Sequence, residues 1–209
     1  MKLLVVTDPM CSWCWGMSAE VDRTANELNA SVELDFLLGG INTHATQPIG
    51  DFGRRHLMKI WHEVHATTGQ QFGFKLPDSF VYNSTLPCLA VQVVREHLGK
   101  PPFGYLHRLQ QLFFVEGRNI NDAELVAEVA EDFGVPRDTV RRESSSERIR
   151  QLVGFEFSTS RGYGTNALPS VLWERDGERG LLAGGYLDSA TLIDLAQRKN
   201  DSLRQVEID

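Results

Sequence analysis

The chain has no long hydrophobic run near its start. Only four apolar residues, Leu3-Leu4-Val5-Val6, stand between Lys2 and Thr7-Asp8-Pro9. A secretory leader needs roughly 7–15 consecutive apolar residues, and a transmembrane helix roughly 20. Neither pattern is found, so a cytosolic protein with no membrane partner is expected. Basic charge is also in short supply: 21 Lys and Arg face 28 Asp and Glu, for a net charge of −7. That balance argues against a nucleic-acid partner. Cysteine is scarce, and three is an odd count that suggests no disulfide framework. At 209 residues the chain can bury a sizeable core without such staples. Internal repeats and low-complexity linkers are missing too.

What is there falls into three blocks. Residues 3–6 form a continuous apolar run, the pattern of a strand covered on both faces. Residues 12–28 can be helical, with Val21, Ala25 and Leu28 on one stripe. Residues 32–38 alternate and then turn apolar, a second strand ending at Gly39-Gly40. Strand, helix and strand in about 40 residues make a βαβ unit with parallel strands. Residues 43–163 then read as helical throughout. Ser84 or Thr85 is the expected cap of one helix, Asn121-x-x-Glu124 resembles a capping box, and Gly134 with Pro136 reads as a helix stop. Ser146 is a candidate start for a further helix. Trp61, Phe113 and Phe114 read as helical core. Near the end, Val171-Leu172-Trp173-Glu174 and Leu181-Leu182-Ala183 flank Asp176-Gly177, a hairpin signal. A last helix is expected over 188–198.

Two of the three cysteines lie in Thr7-Asp8-Pro9-Met10-Cys11-Ser12-Trp13-Cys14-Trp15-Gly16, directly after the first strand and where the first helix begins. The first amides of a helix have no internal partner, and the helix dipole adds about half a positive charge there. A thiolate at Cys11 is therefore stabilised and reactive, with Cys11 expected as the exposed nucleophile and Cys14, one turn away, as the resolving thiol. Zinc is an alternative, because Cys-x-x-Cys is also half of a common zinc site. It would need two more ligands, and only Cys88 and His62-x-x-His65 are on offer, so no metal is expected. A structural disulfide fits a cytosolic chain poorly. Ala167-Leu168-Pro169-Ser170-Val171 places a proline just before a strand. On local sequence this is an ordinary loop proline, although X-Pro is where cis bonds occur.

A β-α-β half with Cys-x-x-Cys at its first helix, then a β-β-α half preceded by a proline, resembles the thioredoxin fold. A large all-helical insertion between the halves looks like the DsbA family. The expected architecture is thus α/β, with residues 1–42 and 164–209 forming the thioredoxin-like part and 43–163 the insertion. "DPMCSWCWG", "LGG", "NSTLP" and "EGRNINDAEL" are similar to segments of that family's cytoplasmic FrnE-like branch. The resemblance implies a thiol-disulfide oxidoreductase or isomerase, with Cys11 attacking and Cys14 resolving. It implies that Pro169 is a cis-proline beside the cysteines and that the backbone of Leu168 pairs with a bound peptide or glutathione. The family usually carries valine or threonine before this proline, and the bulkier leucine bears on substrate choice. The loop Gly162-Tyr163-Gly164-Thr165-Asn166 also departs from the common pattern.

The expected partner is a disulfide-containing protein or glutathione, with no cofactor other than glutathione as a substrate. The kappa-class glutathione transferases and hydroxychromene carboxylate isomerases share the insertion and give a second reading, but they use a serine where Cys11 stands here. A zinc-binding, non-enzymatic protein is a third. Trp13 and Trp15 read equally as packing or as an apolar, substrate-facing patch. Asp8 reads as a turn or cap residue before Pro9, with a proton relay to Cys14 as the alternative. Cys88 reads as a small buried hydrophobe, with a third redox thiol as the alternative. Asn83 is locally a turn or capping residue, in a segment that lies near the active site in relatives.

Overall fold

The computed structural model describes residues 1–28, 32–163 and 166–205. Gly164 and Thr165, part of the loop singled out above, lie outside the described residues. Strand β1 (Lys2–Thr7) leads through a short turn into α1 (Ser12–Glu27), and β2 (Glu33–Leu38) follows. The second half holds β3 (Ser170–Arg175), β4 (Glu178–Gly184) and a last helix (Ser189–Gln205). The four strands form one sheet in the order β2-β1-β3-β4. β1 runs parallel to β2 and antiparallel to β3, and β4 is antiparallel to β3.

β1 is a central strand, which explains why its sequence does not alternate. Leu3 and Val5 join a core with Met17 and Val21 of α1 and with Leu192 and Ala196 of the last helix. Leu4 and Val6 point to the other face and pack with Leu37 and Leu172. The hairpin turns on Asp176 and Gly177, both at positive φ (53° and 85°), the pair of left-handed residues that a type I′ turn requires.

Among the described residues, six helices lie between β2 and β3: α2 (Asp51–Thr68), α3 (Thr85–Leu98), α4 (Phe103–Phe114), α5 (Ala123–Glu131), α6 (Arg137–Glu143) and α7 (Glu147–Ser160). The last helix is therefore α8. Trp61, Phe113 and Phe114 are fully buried, with ring centroids 5.0–5.8 Å apart. The block presses closely on α1: a Cβ added at Gly16 would meet Val64 of α2 at 2.6 Å.

Three local expectations change. The cap of α5 is Asp122, whose Oδ1 accepts from the amides of Glu124 (2.9 Å) and Leu125 (3.4 Å). Asn121 instead donates to the Val81 carbonyl, because that carbonyl lies within reach and a carboxylate one residue later is free to cap. Gly134 and Pro136 do end a helix, but Pro136 also opens α6, since proline is suited to a first helical turn. Ser84 stands at the start of α3, yet its hydroxyl caps nothing in that helix; it is committed elsewhere. Ser146 does cap α7 by accepting from the Ile149 amide.

Candidate active site

β1 delivers the chain to the site. Cys11 is the N-cap of α1, and its Sγ accepts a hydrogen bond from the Cys14 amide at 3.2 Å. Negative charge on that sulfur would meet an otherwise orphaned amide and the positive end of the helix. All three cysteines are free thiols. Cys11 and Cys14 are both buried, 5% and 4% exposed, so the expected exposure of Cys11 is not found: its sulfur is turned to the Cys14 amide at the helix start. Burial, followed by the hydrogen bond and charge of Cys11 and then the charge of Asp8, pushes the Cys14 thiol well above its ordinary range.

Asp8 is fully buried. Its Oδ1 accepts from the Met10 amide at 2.8 Å, the turn role expected of an aspartate before Pro9. Its Oδ2 accepts from the Gly40 amide (3.0 Å), Ser84 Oγ (2.6 Å) and Cys88 Sγ (3.6 Å). Burial pushes the Asp8 carboxyl up to about 6, against the pull of these donors. Cys88 fills the expected buried position, and burial raises its thiol well above the usual range. Its contact with Asp8 had no signal in the sequence. Neither did Tyr82, whose hydroxyl donates to the Met10 carbonyl at 3.1 Å. Burial and the charges of Cys11, Asp8 and Cys14 push that phenol well above its normal range.

The Asp8 environment has a consequence for stability. In the unfolded chain the carboxyl titrates near 3.8 and in the folded chain at about 6. Well below pH 3.8 it is protonated in both states and costs nothing. Well above pH 6 it is charged in both, and the folded state carries a cost of about 3 kcal/mol. Asp8→Asn removes this term. The stability of the variant relative to the natural chain should therefore rise by about that amount between about pH 3 and pH 8. Urea unfolding at both pH values checks this, and a parallel pH dependence of the two proteins contradicts it.

The Leu168–Pro169 peptide bond is cis. Ser170 pairs with Val6, so Pro169 stands at the carboxyl end of β1, the edge from which the chain runs to Cys11. The Pro169 carbonyl accepts from the Gly185 amide. Leu168 leans on Gly39, where an added Cβ would lie 2.7 Å from the leucine side chain. Together with Gly40, Asn42 and Arg161 it borders a cavity of about 200 Å³. Trp13 is half-buried against Tyr186, with ring centroids 6.2 Å apart. Trp15 takes the packing role: it stacks on Phe114, and its indole NH donates to the Gln71 carbonyl at 2.8 Å. Asn83 accepts from the Thr85 amide and donates to the carbonyls of Thr43 and Ala45, tying the start of α3 to the loop after β2.

The histidines weighed for zinc are engaged in α2 packing. His62 stacks on Phe74 at 4.2 Å, and His65 Nδ1 pairs with the Gln70 carbonyl at 2.8 Å. Among the described residues no group of three or more His, Cys, Asp or Glu side chains is placed to hold a metal ion.

A dithiol at a strand-to-helix junction, a cis-proline at the adjoining strand end and a helical block between the two halves define a class: thioredoxin-fold oxidoreductases of the DsbA kind. The chain belongs to the thioredoxin family, whose model matches residues 5–187. Among solved structures, a candidate protein disulfide isomerase from Nitrosomonas europaea is 27% identical with a TM-score of 0.86, over 94% of this chain and 96% of that one. The cytosolic disulfide reductase DsbM from Pseudomonas aeruginosa is 25% identical with a TM-score of 0.74, over 100% of both chains. It is also known in a structure with GSH. A 2-hydroxychromene-2-carboxylate isomerase, 12% identical with a TM-score of 0.63 over the whole of both chains, shares the fold alone. No curated protein sequence matches the chain. No helix among the described residues is long and apolar enough to cross a membrane.

Proposed function

We propose that the protein is a thiol-disulfide oxidoreductase in which Cys11 attacks and Cys14 resolves. The observation that carries this reading is the Cys11 sulfur at the N-cap of α1, held by the Cys14 amide, with the Cys14 thiol buried one turn along the same helix. The Cys11 thiolate attacks one sulfur of a substrate disulfide, and the other sulfur leaves as a thiolate that takes a proton. Cys14 then loses its proton and attacks Cys11 Sγ. The Cys11–Cys14 disulfide forms, and the second substrate thiol departs. Asp8, whose charge acts on the Cys14 thiol, accepts the proton that Cys14 must lose. Two glutathione thiols return the enzyme disulfide to the dithiol and leave as glutathione disulfide. The structure of DsbM with GSH supports glutathione in this role, and the cytosolic setting of DsbM supports the same compartment and a reductive direction here. Leu168, Pro169 and Trp13 flank the substrate, and glutathione is a substrate rather than a resident cofactor.

The test is a trap. Cys14→Ser protein mixed with glutathione disulfide should accumulate one glutathione adduct per chain on Cys11, read by mass spectrometry of peptides. No adduct, or an adduct carried by Cys88, would overturn the assignment.

A further inference from the structure

We propose that Ser84, the N-cap of α3, and Cys88, in the first turn of that helix, are positioning residues for the dithiol: they hold the Asp8 carboxylate oriented and ionised to take the Cys14 proton. This rests on the reading of Asp8 as that acceptor. Ser84 and Cys88 are four residues apart, so they share one helical face, and that face meets Asp8 from across the chain. Ser84 Oγ lies 2.6 Å from Asp8 Oδ2, and Cys88 Sγ lies 3.6 Å from the same oxygen. The serine proton has a defined direction. The Ile41 amide donates to Ser84 Oγ at 2.7 Å, which fills a lone pair and turns the hydroxyl proton towards the carboxylate. The Ile41 carbonyl, 3.5 Å from the hydroxyl, is a much weaker competitor.

Among the described residues the four donors to the Asp8 carboxylate are neutral: two backbone amides, a hydroxyl and a thiol. The titratable groups that face it are Cys14 from α1, Tyr82 from the segment before α3, and Cys88 from α3. Glu156 of α7 acts on Cys88 and is itself paired with Arg95. A buried carboxylate without a cation depends on such donors to stay charged near neutrality. The amides belong to the loops of the thioredoxin-like half. The hydroxyl and thiol come from the insertion, so α3 adjusts chemistry performed on α1.

The experiment follows the second step alone. Protein carrying a mixed disulfide on Cys11 is formed, and release of the small thiol is timed against pH. The natural chain should show an acid limb near pH 6, where Asp8 takes up its proton. A hydrogen bond to a charged group corresponds to about one pH unit or more. Ser84→Ala should therefore move the limb up by about one unit, slowing release about tenfold at pH 5.5. Cys88→Ala should move it the same way by less, since a thiol is a weaker donor. Ser84→Thr and Cys88→Ser, which keep a donor, should restore it. A limb unmoved in folded Ser84→Ala or Cys88→Ala protein, while Asp8→Asn abolishes it, overturns the proposal and leaves the dithiol reading standing. A limb that survives Asp8→Asn removes Asp8 from the step, and the proposal with it. An unreactive Cys11 sinks the underlying function instead.

Discussion

Replacing Cys11 by serine should lower disulfide turnover at least about a thousandfold without disturbing the fold. The two halves of that expectation have separate physical reasons. A seryl hydroxyl does not ionise at neutral pH, so the attacking anion is lost. The structural job of the side chain is to accept the Cys14 amide at the N-cap, and serine is among the best N-cap residues. Melting temperature should stay within a few degrees of the natural chain's, and insulin reduction coupled to glutathione should fall to background. Activity above about one hundredth of the natural level would mean that another group attacks. Unfolding would mean that the sulfur packs in a way oxygen cannot.

The second large effect concerns the attachment of the helical block. Arg95 of α3 donates to Glu156 of α7 and, at 2.9 Å, to the Phe36 carbonyl, and its guanidinium lies 4.2 Å from the Phe36 ring centroid. Glu156 in turn accepts from the Leu38 amide at 2.8 Å. Both side chains are mostly buried, 16% and 15% exposed. Burial pushes the Glu156 carboxyl up even with the arginine beside it. Arg95→Met leaves that carboxylate buried without its cation, which costs about 3–5 kcal/mol. A chain of this size should then melt about 6–20 °C lower. The double variant Arg95→Met/Glu156→Gln should recover part of the loss, because no uncompensated charge remains. If the single variant melts within about 2 °C of the natural chain, the pair is not what joins α3 and α7 to β2.

How much of this could be read in advance depended on how local the cause was. The β1 run, the Asp176-Gly177 hairpin and the position of Cys11 at a helix start are set by neighbours in sequence, and each was legible. Pro169 was legible as a strand-leading proline, and the wider topology gave it meaning. The α6 helix was not legible, because seven residues opened by a proline give no periodicity to read. The α5 cap was misplaced by one residue, since Asn121 and Asp122 are equally good caps until the Val81 carbonyl claims one of them. The largest gap is Asp8. Its turn role needs only Met10, two residues away, whereas its other donors are 32, 76 and 80 residues distant. Nothing near Ser84 or Cys88 in sequence distinguishes a helix-start serine and a buried cysteine from partners of a carboxylate in the other half of the fold.

The contact between Leu168 and Gly39 reaches beyond packing. The leucine that borders the cavity sits close against Gly39, the residue just after β2, which has no side chain there; an added methyl would lie 2.7 Å away. The size of one residue is thus tied to the emptiness of the other, and the two behave as a single volume divided between two distant stretches of chain. A side chain gained at 39 would need the leucine at 168 to shift or shrink, so the shape of this cavity wall is set by the glycine that follows β2 as well as by the residue before the cis-proline.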